Sequence, residues 1–147
     1  MIVERCRPAD IEDWLALRCA LWPEGSAAEH RAELEDILAG DREAAFIARD
    51  ATGAAVGLAE AALRHDYVNG CETSPVAFLE GIYVAPARRR QGAAQRLCAA
   101  VAAWARGLGC SEFASDAALD NLDSHAMHRA LGFAETERVV YFRKRLA

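Results

Sequence analysis

Two features of this sequence could do chemistry: a carboxylate set in an apolar run, and a basic turn that ends in residues with almost no side chain. Glu80 stands in Phe78-Leu79-Glu80-Gly81-Ile82-Tyr83-Val84, which is apolar on both alternations, as in a strand covered on both faces. A carboxylate between Phe78 and Ile82 on one face of such a strand has to be paired or solvated through a site. One reading is an ion pair with one of the arginines. The other is proton transfer, because carboxylates beside a bound cofactor are where perturbed acidity finds a use. Directly after the strand come Arg88, Arg89 and Arg90, then Gln91, Gly92, Ala93 and Ala94. The first N–H groups of a helix have no internal partner and sit at the positive end of its dipole. Small residues there leave an anion such as a pyrophosphate free to approach, and the arginines add charge. The plainer reading is a solvated basic turn before an Ala-rich helix. No Gly-Lys-Ser/Thr follows and there is no Gly-x-Gly-x-x-Gly, so two common phosphate motifs are excluded.

Composition narrows the setting. A chain of 147 residues, 53% hydrophobic and 27% charged, is one domain (1–147) with a core of its own. A formal charge of −5 argues against nucleic acid and suits an anionic cosubstrate with a cationic acceptor. No run is long enough for a membrane span, and Met1 to Arg5 lacks a signal-peptide core, so a cytoplasmic location is expected. The five cysteines are odd in number and form no Cys-x-x-Cys pair; free thiols are expected. No metal-binding pattern is present among the four histidines.

The elements that must position these groups follow from periodicity. Ile2 to Cys6 reads as a strand. Pro8 starts a helix with Ile11, Trp14, Leu15, Leu17, Leu21 and Trp22 on a broad apolar stripe, and Pro23 ends it. Ser26-x-x-Glu29 is a capping box for a second helix that closes at Gly40. Ala45 to Arg49 and Ala55 to Leu63 flank the hairpin signal Thr52-Gly53, with the second strand able to run to about Tyr67. After the central strand, a helix from Gly92 ends at Gly107 and Gly109; Glu112 to Ser115 is a short strand. Asp120 or Asn121 opens a last helix, Gly132 ends it, and Glu135 to Arg143 reads as a final strand region. The order is β-α-α-β-β-β-α-β-α-β. One right-handed βαβ unit is expected about the basic turn, and antiparallel pairing elsewhere. The fold class is therefore α/β: a mixed, mostly antiparallel central sheet flanked by helices.

Arg89-x-x-Gly92-x-Ala94, entered from a strand ending Ile82-Tyr83-Val84, resembles the coenzyme A loop of the GNAT-type N-acyltransferases. The predicted element order matches that fold over the full length. More specific stretches resemble one branch, the aminoglycoside 6′-N-acetyltransferases: Ala20 to Pro23, Arg64 to Cys71, Ser74 to Val84, Ala114 to Asp116 and Ala130 to Val139. The resemblance implies acetyl-coenzyme A as cosubstrate, held by Ile82, Tyr83 and Val84 and by Arg89, Arg90, Gln91, Gly92, Ala93 and Ala94. It implies an aminoglycoside bounded by Trp22, Tyr67, Glu80, Asp116 and Glu137, a homodimer, and antibiotic resistance as the outcome.

In that fold the central strand and the next one splay apart around the thioester, which would put Asp116 on the acceptor side; alone, Asp116 reads equally well as a turn cap. Asn121 matches a position that often contacts the pantetheine arm, and it reads equally as a helix cap. His128 stands where many members carry a tyrosine thought to protonate the departing thiolate, so the general acid is left open between His128, Tyr141 and none. Trp22 and Tyr67 are either ordinary packing or flat walls for a sugar ring. Glu135 and Glu137 are either solvated edge residues or part of an acidic cleft. The expected mechanism is direct attack, with Glu80 taking the amine proton through water, Asp116 as rival base, and no cysteine nucleophile. Two alternatives remain: acetylation of another amine, such as a polyamine or a protein N-terminus, and a non-catalytic coenzyme A-binding domain.

Overall fold

The computed structural model describes residues 1–147. Its strands are β1 (Ile2–Arg5), β2 (Glu43–Arg49), β3 (Ala55–Arg64), β4 (Val76–Val84) and β5 (Phe113–Ser115). Its helices are α1 (Ile11–Leu21), α2 (Ala27–Ala39), α3 (Ala93–Gly107) and α4 (Leu122–Ala130). The five strands lie in the order β1-β2-β3-β4-β5. The first three pairings are antiparallel, and β4–β5 is parallel, as a βαβ crossover requires.

Strand alternation sorts the core into two layers. On β2, Ala44, Phe46 and Ala48 pack with Leu97, Cys98 and Val101 of α3, while Ala45 and Ile47 pack with Trp14, Leu17, Leu34 and Ile37 of α1 and α2. Local signals fix the helix ends. The Ser26 hydroxyl accepts from the Glu29 N–H at 3.1 Å. The Asn121 side chain accepts from the Ser124 N–H and caps α4. Gly92 takes φ +86° just before α3.

Three expectations are corrected. First, β4 is not covered on both faces along its length: Val76 to Leu79 are buried, Glu80 is exposed, and Gly81 to Val84 are half-buried. Second, Phe78 and Ile82 do not share a face with Glu80 between them. Ala61 pairs with Leu79 but Glu60 with Gly81, so Glu80 is the extra residue of a bulge. The bulge inverts the alternation: Leu79 faces α3, and beyond the bulge so do Ile82 and Val84, while Tyr83 turns toward α1 and α2. Third, Glu135 to Arg143 is no strand within this chain. No neighbouring strand pairs with it, and Tyr141 and Phe142 are 83% and 92% exposed. β3 stops at Arg64, short of Tyr67.

Candidate active site

The site lies where β4 and β5 part. Their pairing ends at Leu79–Ser115, and β4 runs on for five more residues without a neighbour on that side. The Ala85 N–H is bonded to Val56 on the β3 side. Backbone groups alternate along a strand, so the N–H and carbonyl of Val84, and of Ile82 before it, point into the gap between β4 and β5. An extended ligand could pair with this free edge as an added strand.

At the far end of β4 the basic turn is built by specific contacts. Asp50 accepts from the Thr52 hydroxyl, which with the Thr52 and Ala54 N–H groups and the Arg88 charge holds its carboxyl below the usual range. Arg88 is therefore engaged in an ion pair with Asp50 and is not a free anion ligand. The Arg89 Nε–H donates to the Val84 carbonyl at 2.9 Å, and its guanidinium lies 5.8 Å from the centre of the Tyr83 ring. Arg90 adopts φ +62° and Gly92 φ +86°. The first turn of α3 is closed by the Arg96 N–H on the Gly92 carbonyl at 3.1 Å, leaving Ala93 and Ala94 ahead of the ladder. A Cβ added at Gly92 would meet nothing within 4 Å, so the space over the helix start is open. These residues fit a pyrophosphate: backbone donors, the guanidinium groups of Arg89 and Arg90 with no carboxylate partner, and an unobstructed approach.

The residues expected on the acceptor side lie about the bulge and the loops beside it. Glu80 is turned outward, its side chain 33% exposed, and Arg64 grips both carboxylate oxygens at 2.9 and 3.1 Å. The Arg64 guanidinium in turn lies 3.6 Å from the Phe78 ring centre. The ion pair considered for Glu80 thus exists, on the cleft surface. Trp22 covers Gly81: a Cβ there would come within 2.5 Å of the indole Cζ2. Asp116 is exposed and follows Ser115, whose hydroxyl lies 3.4 Å from the Leu79 carbonyl, next to the bulge. Tyr67, 74% exposed, follows the Arg64 end of β3. Glu137 is exposed, and its neighbour Thr136 packs directly on Gly70 of the Tyr67 loop. Trp22, Glu80 and Asp116 thus border one end of the gap, and Glu137 is brought to the loop of Tyr67.

Other candidates have structural partners. Asn121 is engaged as the α4 cap. The His128 Nδ1–H donates to the Ser124 carbonyl at 2.7 Å, so Nε2 is free to accept from the Ser115 hydroxyl at 2.8 Å. Tyr141 lies in the exposed C-terminal segment. Four of the thiols are poor nucleophiles: burial pushes Cys98 up to about 11 and raises Cys6, Cys71 and Cys110 as well.

The sequence reading missed the most buried charge. Glu60 is 3% exposed and accepts from Arg18 Nη1 at 2.7 and 3.0 Å and from the Trp14 indole at 2.8 Å. Burial pushes its carboxyl above the usual range, against the Trp14 hydrogen bond and the Arg18 charge. The signal was there: Glu60 is the one charge in Ala55 to Leu63.

A mixed sheet whose strands part beside an open, basic, Gly-containing turn has the architecture of an N-acyltransferase, and the chain belongs to the Acetyltransferase (GNAT) family, whose profile matches residues 11–133. Within it, the chain is 61% identical over 141 residues to an aminoglycoside N(6')-acetyltransferase type 1 of Serratia marcescens, covering 96% of this chain and 97% of that protein. The crystal structure of an aminoglycoside 6'-N-acetyltransferase, AAC(6')-IG from Acinetobacter haemolyticus, superposes with a TM-score of 0.94 at 50% identity and full coverage of both chains. The structure of AAC(6')-Iy in complex with the bisubstrate analogue CoA-S-monomethyl-acetylneamine superposes equally well, TM-score 0.94, at 48% identity over 99% of this chain and 98% of that one.

Proposed function

We propose that this protein transfers the acetyl group of acetyl-coenzyme A to the 6′ amine of aminoglycoside antibiotics and thereby confers resistance. The observation that carries the reading is the bulge at Glu80 beside the free edge of β4. It puts an exposed carboxylate next to a stretch of unpaired backbone inside the gap between β4 and β5, where an extended acyl carrier could pair. The similarity to aminoglycoside N(6')-acetyltransferases over nearly the whole chain supports the acceptor class.

The pyrophosphate rests on the turn of Arg89, Arg90, Gln91, Gly92, Ala93 and Ala94, and the pantetheine arm pairs along Ile82, Tyr83 and Val84. The Val84 N–H, facing the gap, polarises the thioester carbonyl and holds charge that develops on its oxygen. Trp22 and Tyr67 wall the sugar; Glu80, Asp116 and Glu137 attract its ammonium groups. Glu80 takes the proton of the attacking amine through water, with Asp116 as rival base. The amine nitrogen bonds to the acyl carbon, the carbon–sulfur bond breaks, and coenzyme A leaves as the thiol. Asn121 serves the pantetheine arm only through the α4 terminus that it caps.

The working form is a homodimer. Val139 to Phe142 is apolar and exposed, and the outer edge of β5 has no partner in the chain. A second copy satisfies both if each C-terminal segment adds to the other's sheet. The reaction belongs in the cytoplasm, where acetyl-coenzyme A is made and thiols such as these five stay reduced. Thiol release measured across aminoglycosides, polyamines and peptides tests the reading. Activity confined to aminoglycosides is expected, and preference for polyamines or peptides would overturn it. Light scattering should report twice the chain mass; a monomer would remove the dimer.

A further inference from the structure

The acceptor wall Trp22 sits at the end of a buried polar chain that the reaction itself does not use. Arg18, in the last turn of α1, is 6% exposed. Each of its guanidinium nitrogens is committed. Nη1 donates to both Glu60 oxygens, Nη2 to Glu33, and Nε to His30 Nδ1 at 3.1 Å. Because Nδ1 accepts that hydrogen, the proton of neutral His30 is on Nε2, and Nε2–H donates to the Trp22 carbonyl at 2.7 Å. The guanidinium also lies under the indole, 4.9 Å from the ring centre.

The same chain reaches the bulge. Glu60 pairs across the sheet with Gly81, the residue that Trp22 covers. Gly81 leaves room for the ring, and Gly25 leaves room for His30, whose Nε2 would lie 2.8 Å from an added Cβ. Trp22 is therefore held at its carbonyl by His30, against its face by Arg18, and from below by the missing side chain of Gly81. Without these contacts it would be the residue just past the end of α1, before Pro23, a position that ordinarily frays.

We propose that His30 and Arg18, anchored on Glu60, are positioning residues for Trp22 and so set how tightly the acceptor sugar is held. This rests on the reading of Trp22 as a wall of the acceptor site. The buried guanidinium of Arg18 and the imidazole of His30 both end on Trp22, one at its ring and one at its carbonyl.

Steady-state kinetics of the full chain with neomycin and acetyl-coenzyme A tests this. His30→Leu should raise the acceptor KM by about fivefold or more, the scale of one lost hydrogen bond, with the acetyl-coenzyme A KM unchanged. His30→Gln, which keeps a donor for the Trp22 carbonyl, should restore most of the loss. In a Trp22→Ala background, His30→Leu should add little, because the two act through one ring. If His30→Leu does not fold, Gly81→Ala pushes the ring from the other side and should give the same acceptor-only increase. An equal rise on top of Trp22→Ala, or parallel changes in both KM values, would overturn the positioning role. If Trp22→Ala leaves the acceptor KM unchanged, the wall reading falls, and this inference with it. If Trp22→Ala raises it while His30→Leu and Gly81→Ala do not, the wall stands and the network role alone is refuted.

Discussion

Substituting Gly92 separates two effects that the turn combines. Gly92 holds φ +86° at the start of α3, and an added Cβ would touch nothing within 4 Å. In the free protein a side chain therefore costs only backbone strain, about 1–2 kcal/mol for an ordinary L-residue in the left-handed region. For a chain of this size that is a fall in Tm of roughly 2–8 °C. Asparagine tolerates the conformation and should lose less. Both substitutions fill the open space over the helix start, so both should block the pyrophosphate. Losing one charge-assisted hydrogen bond costs about 1.5–3 kcal/mol, or about ten- to a hundredfold in affinity. Calorimetric titration with coenzyme A, alongside thermal unfolding, reads both terms. Gly92→Val should lose stability and affinity; Gly92→Asn should lose affinity with stability nearly intact. An asparagine variant that binds coenzyme A as tightly as the parent would show that the pyrophosphate sits elsewhere.

Three further outcomes are expected. Glu80→Gln should lower kcat by about 10²–10⁴ if its carboxylate takes the amine proton; a near-normal rate, with the loss appearing in Asp116→Asn instead, would transfer the role. Arg18→Met leaves Glu60 buried without its cation, a loss of about 3–5 kcal/mol and about 6–20 °C in Tm; a shift under 2 °C by calorimetry would contradict the network. Asp50, Glu112 and Glu135 are held below the usual carboxylate range chiefly by hydrogen bonds from Thr52, Thr73 and Arg138, and Asp10 by the Arg7 N–H and Arg49 against the opposing effect of burial. Such groups bind fewer protons folded than unfolded, so the stability they contribute is complete above about pH 5 and is lost as pH falls through their lowered values. Glu60, held above the usual range, acts in the opposite sense, so the test is the difference between variants: denaturant unfolding at stepped pH should show a smaller acid loss in Asp50→Asn than in the parent, and identical pH dependence in the two would contradict it.

The order of elements through α4 and the turn between β4 and α3 could be read from the sequence, because Pro86, the arginine run and Gly92-Ala93-Ala94 punctuate a strand and a helix of clear periodicity. The bulge could not be read. In a stretch apolar on both alternations no pattern marks the extra residue, so Glu80 was expected inside a covered strand. The criterion itself, a lone carboxylate in an apolar strand, was sound but applied to one of two instances. Glu60 meets it and is the buried one; Glu80 is turned out by the bulge onto Arg64. Arg18 and His30 were hidden because an amphipathic helix shows its apolar stripe and not the polar residue satisfied beneath it. The strand expected over Glu135 to Arg143 rested on the apolar run Val139 to Phe142, and apolar character alone does not supply the neighbouring strand that this chain lacks there.

The central claim is acetylation at the 6′ amine, and one contrast tests it most directly. Neomycin carries an amine at the 6′ position and paromomycin a hydroxyl there. Coenzyme A thiol release should be brisk with neomycin and nearly absent with paromomycin, because the hydroxyl is a much poorer nucleophile in this site. Equal rates on the two would show that another amine is the acceptor and would contradict the account.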